Sequence, residues 1–113
     1  HFLVAAILGY EFGIGVRSGC FCAHPYILHL LGLSQEQARG VRERMLAGDK
    51  SDMPGLVRIS FGLYNTHEDV NALCDALERI VRGEYSGVYV QDPATGEYHP
   101  ENWEPDYSEY FSF

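Results

Sequence analysis

The stretch Gly13-Ile14-Gly15-Val16-Arg17-Ser18-Gly19-Cys20-Phe21-Cys22-Ala23-His24-Pro25 carries the most specific signals in this 113-residue chain. Its alternation predicts a short strand over Ile14–Ser18, with Ile14 and Val16 on one face and Gly15 and Arg17 on the other. Glycines at 15 and 19 flank the arginine and let a ligand approach the backbone. An arginine there offers a rigid fork that matches a carboxylate at two points; a surface arginine on a half-exposed strand is the alternative. Cys22 follows a glycine turn and precedes a helix start at Ala23-His24-Pro25. A thiol beside a helix N-terminus is acidified and becomes more nucleophilic, although most free cysteines act as small buried hydrophobes.

Working outward, Phe2–Phe12 reads as a helix ended by Gly13. Pro25 opens a second helix carrying Tyr26, Ile27, Leu28, Leu30 and Leu31, which stops at Gly32. Ser34 with Gln37 forms a capping box for a third, Gln35–Ala47, whose face is weakly apolar (Ala38, Val41, Met45) and is expected to be exposed. A polar loop over 48–55 leads to a second strand, Leu56–Phe61. There Val57, Ile59 and Phe61 point one way, and Arg58 and Ser60 the other. Thr66 with Asp69 caps the clearest helix, on which Val70, Leu73, Cys74, Leu77, Ile80 and Val81 follow helical spacing. Cys74 is therefore expected in the core. Arg82 and Gly83 close that helix.

Residues 84–113 differ in composition, being rich in tyrosine and acids. Tyr89-Val90-Gln91 and Glu97-Tyr98-His99 can pair as a hairpin around Asp92-Pro93-Ala94-Thr95-Gly96. Trp103, Tyr107, Tyr110, Phe111 and Phe113 follow in an irregular segment. So many aromatics rarely stay in water, and this tail is expected to dock, for example on the remainder of a larger protein. The expected division is therefore 1–83 as one small domain and 84–113 as a hairpin and docking tail.

The hydrophobic share of 46% marks a globular segment. The formal net charge of -8 argues against a nucleic-acid or anionic-membrane partner, and no apolar run is long enough to span a bilayer. Three cysteines, at 20, 22 and 74, fit free thiols in a reducing, cytoplasmic setting. The C-x-C pair with His24 and His29 nearby matches no common zinc spacing, so no metal is expected. His1 leads straight into the apolar run 2–8, as in a fragment cut at the start of a helix. Two strands alone make a marginal sheet, which again points to missing upstream residues.

Two runs together resemble one family. The run 13–25, and Gly55-Leu56-Val57-Arg58-Ile59-Ser60-Phe61-Gly62-Leu63-Tyr64-Asn65-Thr66 followed by Glu68-Asp69-Val70, are similar to the small-domain motifs of class V aminotransferases. That family includes cysteine desulfurases and selenocysteine lyases. The resemblance covers roughly Leu3 to Val81. It implies an α+β fold: a small antiparallel sheet with helices packed on one face, the C-terminal domain of a fold-type I enzyme that uses pyridoxal 5'-phosphate (PLP). It also implies that Arg17 binds the carboxylate of a small amino-acid substrate, that Cys22 takes the substrate's sulfur as a persulfide, and that Arg58 lies near the same cleft. The desulfurase pattern usually has two histidines before the cysteine, where this chain has Cys20 and Phe21.

Enzymes of this family hold PLP on a lysine. The only lysine here is Lys50, between acidic neighbours in Asp49-Lys50-Ser51-Asp52, and it reads as a solvated loop residue. PLP is thus expected on a missing upstream domain, with these 113 residues inactive alone and the intact enzyme a homodimer. Cysteine desulfurase or selenocysteine lyase activity is the first expectation. An aminotransferase, epimerase or other lyase of the same family, with Cys22 a bystander, is the second. A non-catalytic module docking through its aromatic tail is the third.

Overall fold

In a computed structural model the described residues form four helices and two small antiparallel sheets, an α+β arrangement. The structure describes residues 1–104. The expected Tyr107, Tyr110, Phe111 and Phe113 of the tail lie outside the described residues.

Helix α1, Phe2–Phe12, ends where Gly13 turns left-handed (φ 65°) and its N–H returns to the Leu8 carbonyl. The chain then runs extended and enters β1, Arg17–Gly19. Helix α2, His24–Leu30, carries Pro25 in its first turn, where the missing N–H costs nothing. Helix α3, Gln35–Leu46, has the expected Ser34/Gln37 capping box and buries no residue. Strand β2, Leu56–Arg58, pairs antiparallel with β1. Helix α4, His67–Val81, starts at a second reciprocal box: Asp69 N–H donates to the Thr66 hydroxyl, and Thr66 N–H donates to the Asp69 carboxylate. Strands β3, Tyr89–Gln91, and β4, Tyr98–Pro100, form the separate hairpin.

The core lies between α1 and α4. Leu8, Leu73 and Ala76 are buried, with Val4, Phe12, Ile14, Val16, Leu77 and Ile80 packed around them. Cys74 does not join them. It is exposed, as are Val70 and Val81. The buried stripe of α4 is Leu73-Ala76-Leu77-Ile80, at i, i+3, i+4 and i+7. Cys74 sits about 100° round the helix from Leu73, past the edge of that stripe.

Both strands are shorter than expected. Ile14 and Val16 pack against the core but lie ahead of the ladder, which starts at Arg17. Ile59-Ser60-Phe61 runs past the end of β1, and Ile59 and Phe61 stay exposed. A strand ends where its partner ends, whatever its own alternation says.

The hairpin docks on α1 of the same chain. Glu11 accepts from Ser86 N–H (3.0 Å), Ser86 hydroxyl (3.2 Å), Gly87 N–H (2.8 Å) and Tyr89 hydroxyl (3.1 Å). Trp103 packs edge-on against Tyr10, with ring centroids 5.1 Å apart. At the hairpin tip Gly96 takes φ 81°, and a Cβ there would meet the Phe2 ring at 2.6 Å and the Lys50 carbonyl at 2.7 Å. Only glycine fits that approach.

Candidate functional site

The register of two paired strands brings the two arginines together. In the β1–β2 ladder Arg17 is the direct partner of Arg58, Ser18 of Val57 and Gly19 of Leu56. Residues directly opposite in an antiparallel pair project from the same face, with Cβ atoms about 5 Å apart. Both arginines are exposed. Like charges placed this way repel across the ladder. An anion between them removes that penalty, and a carboxylate matches the guanidinium fork geometrically.

After Gly19 the chain makes a turn that its sequence does not advertise. Ala23 N–H donates to the Cys20 carbonyl at 2.8 Å, and the two central residues, Phe21 (φ 52°) and Cys22 (φ 61°), are both left-handed. Turns with two positive φ values normally carry Asn-Gly or similar pairs. A bulky aromatic and a cysteine there each cost about 1–2 kcal/mol. Strain of this kind persists only where the surrounding structure imposes it.

The anchor is Cys20. It is buried, and its thiol donates to the Pro54 carbonyl at 2.8 Å; burial pushes its pKa above the usual thiol value. Beside it the backbones of Gly19 and Gly55 nearly touch: a Cβ on Gly55 would lie 2.8 Å from Gly19 Cα. The His1 ring closes the same corner by bonding the Met53 carbonyl at 2.9 Å.

The turn sends Phe21 and Cys22 away from this anchor. Cys22 is exposed, immediately before the Ala23 N-cap of α2. The Phe21 ring lies under Arg58, whose Cζ is 5.0 Å from the ring centroid. Arg17, Arg58 and Phe21 thus form one wall, and Cys22 follows Phe21 in the chain at its edge. Arg17, Arg58 and Cys22 are all exposed, so this wall is open as it stands.

The sequence pattern singled out Arg17, Arg58 and Cys22, and the fold places the two arginines on one face and the cysteine at the turn that follows β1. It did not single out Phe21, because nothing in Gly-Cys-Phe-Cys marks a left-handed turn. Nor did it foresee that Cys20 is the inward member of the pair. The thiols differ in setting, one bonded and buried, the other in solvent. Among the described residues no three His, Cys, Asp or Glu side chains are grouped to hold a metal. No helix among them is long and apolar enough to cross a membrane.

Lys50 lies outside the β1–β2 ladder that carries the arginines. Its loop joins α3 to β2, and its backbone N–H donates to the Pro93 carbonyl at the hairpin tip, 2.8 Å away. The wall presents two guanidinium groups, with an exposed thiol at its edge, and it carries no lysine.

Comparison with known proteins places these features in context. Residues 1–73 match the family described as aminotransferase class-V. The chain is 30% identical over 109 residues to a molybdenum cofactor sulfurase of Caenorhabditis elegans, covering 90% of this chain and 15% of that protein. It is 41% identical over 70 residues to molybdenum cofactor sulfurase 2 of Aedes aegypti, covering 57% of this chain and 9% of that protein. A Bombyx mori molybdenum cofactor sulfurase is 35% identical over 74 residues, 60% of this chain and 9% of that protein. The chain therefore spans a small part of these relatives' length. No solved structure matches it.

Proposed function

This chain belongs to the class-V aminotransferase family, and from that premise we propose that the intact protein is a PLP-dependent sulfur-transfer enzyme of the desulfurase kind. Its substrate is a small sulfur-bearing amino acid, with cysteine as the first candidate. The names of the relatives support a molybdenum cofactor as the sulfur acceptor. The observation that carries the proposal is the pairing of Arg17 with Arg58 on one face, with an exposed Cys22 on the strained turn that follows β1.

The lysine that holds PLP is placed outside these 113 residues, since Lys50 does not fit that task. PLP, when bound, draws electrons from the substrate's α-carbon. The residues of this chain supply the remainder. Arg17 and Arg58 bind and orient the substrate carboxylate through bidentate, charge-assisted bonds. That orientation fixes where the substrate's sulfur sits. The thiolate of Cys22 attacks that sulfur; the S–S bond forms as the C–S bond breaks, and the bonding pair leaves with the carbon fragment. The fragment takes up a proton and departs as alanine. Cys22 retains the sulfur as a persulfide, and its exposed position lets an acceptor reach it.

The test uses the full-length protein with L-cysteine. Alanine release and a persulfide located on Cys22 by peptide mass spectrometry are expected, and Cys22→Ala abolishes sulfur transfer. Arg17→Lys keeps the charge but loses the fork, and is expected to raise KM about 10- to 100-fold, the worth of one lost charged hydrogen bond. Undiminished activity of Cys22→Ala on the native substrate, with no sulfur released by the wild type, refutes the proposal. It favours an aminotransferase or epimerase in which Cys22 is a bystander.

A further inference from the structure

We propose that Phe21 is a positioning residue: its ring holds the Arg58 guanidinium beside Arg17, so that the two present one anion-binding fork next to Cys22. Its catalytic benefit rests on the sulfur-transfer proposal above; its geometry does not.

Three observations converge on this ring. Arg58 is exposed and lies directly opposite Arg17 in the ladder. A free arginine side chain spends most of its time in other rotamers, and repulsion from Arg17 drives it further away. A counterweight is therefore needed to keep Arg58 on station, and the structure has one, the Phe21 face 5.0 Å from its Cζ. Third, Phe21 occupies a backbone position (φ 52°) that asparagine or glycine would take at lower cost. Either would relieve the strain, and either would remove the platform. A bulky residue kept in a left-handed turn calls for a task that only its side chain performs.

The turn also makes Phe21 and Cys22 neighbours. The aromatic platform, the guanidinium above it and the thiol beside it are thus set by one local conformation. An anion drawn to the arginine pair arrives next to the thiol.

Alkylation of Cys22 in the full-length protein tests this without requiring turnover. Iodoacetate carries a carboxylate and iodoacetamide does not, so the ratio of their rates reads the arginine pair. Peptide mass spectrometry assigns the rate to Cys22 and, as an internal reference, to the exposed Cys74. The wild-type ratio at Cys22 is expected to exceed that at Cys74. Phe21→Leu removes the ring but keeps an apolar side chain, and should lower the Cys22 ratio about 3- to 10-fold, the range of a cation–π contact of moderate strength. Phe21→Gly, which relieves the backbone as well, should show the same loss without loss of thermal stability. Phe21→Tyr should retain the wild-type ratio. Arg58→Ala should lose at least as much as Phe21→Leu, and the double variant no more than Arg58→Ala. A Cys22 ratio unmoved by Phe21→Leu and Phe21→Gly, or losses that multiply in the double variant, overturns the assignment. If the ratio behaves as expected but the wild type releases no alanine from cysteine, sulfur transfer fails and the role of Phe21 stands. If alanine is released and the ratio is unmoved, the reverse holds.

Discussion

Glu11 carries the contact between helix α1 and the hairpin, and its removal has a calculable effect. It sits in the last turn of α1, where the helix dipole disfavours a negative charge by about 0.3–1 kcal/mol. It is nonetheless a carboxylate with four donors: Ser86 N–H and hydroxyl, Gly87 N–H and Tyr89 hydroxyl. Burial raises its pKa, but the bonds from Ser86, Gly87 and Tyr89 outweigh this and hold it below the ordinary 4.5. The Tyr89 hydroxyl is correspondingly pushed up to about 12, first by burial and then by its bond to Glu11. The half-buried bonds to Gly87 and Tyr89 are worth about 1–1.5 kcal/mol each, while those to exposed Ser86 add little. Less the dipole cost, Glu11→Ala should weaken docking by about 2 kcal/mol, or about 30-fold in the local equilibrium. Hydrogen exchange of the Ser86 and Gly87 amides in the full-length protein should therefore quicken by that factor, while amides in the middle of α4 stay unchanged. The folded pKa is depressed, so the contribution is fully present above pH 4.5 and is lost as pH falls through the lower folded value. Wild-type protection at these amides, corrected for intrinsic rates, should fall over that acidic window, and the Glu11→Ala profile should be flat across it. Exchange at Ser86 and Gly87 within twofold of wild type would show that the hairpin is held by something else.

Two further outcomes follow from backbone geometry. Cys22→Gly removes a side chain from a φ 61° position, so it should stabilise the domain by about 1 kcal/mol in denaturant titration while ending sulfur transfer; a loss of stability would contradict the assigned strain. Gly96→Ala places a Cβ against a backbone carbonyl at a positive φ, and should cost more than about 2 kcal/mol and expose the Phe2 contact. An unchanged melting temperature for that variant would refute the close approach described at the hairpin tip.

Local signals made much of the fold legible. The capping boxes at Ser34 and Thr66 involve residues three apart, and Gly13 ends α1 by its own conformational freedom, so neither needs knowledge of the fold. Strand ends were less legible because they depend on a partner far along the chain. Ile59 and Phe61 alternate correctly but have no strand beside them. On α4 apolarity alone suggested Val70, Cys74 and Val81, whereas the contact with α1 selects Ala76, a side chain small enough to let two helices approach. At the site, alternation foretold that Arg17 and Arg58 each face away from the apolar side. That they oppose each other is a matter of register, which no single strand encodes. The left-handed turn at Phe21-Cys22 was illegible for a different reason: its residues are those a turn of that shape normally avoids.

That turn also settles a question of chemical insulation. Sulfur loaded on one thiol is easily lost to a second thiol that can attack it and close a disulfide. Cys20 stands only two positions away, but it is 5% exposed, bonded to the Pro54 carbonyl and kept protonated by burial. To reach Cys22 it must break that bond, enter water and ionise. The left-handed turn at Phe21 and Cys22 works as a partition, leaving the outward thiol to exchange with what comes from solvent and the inward one as inert filling.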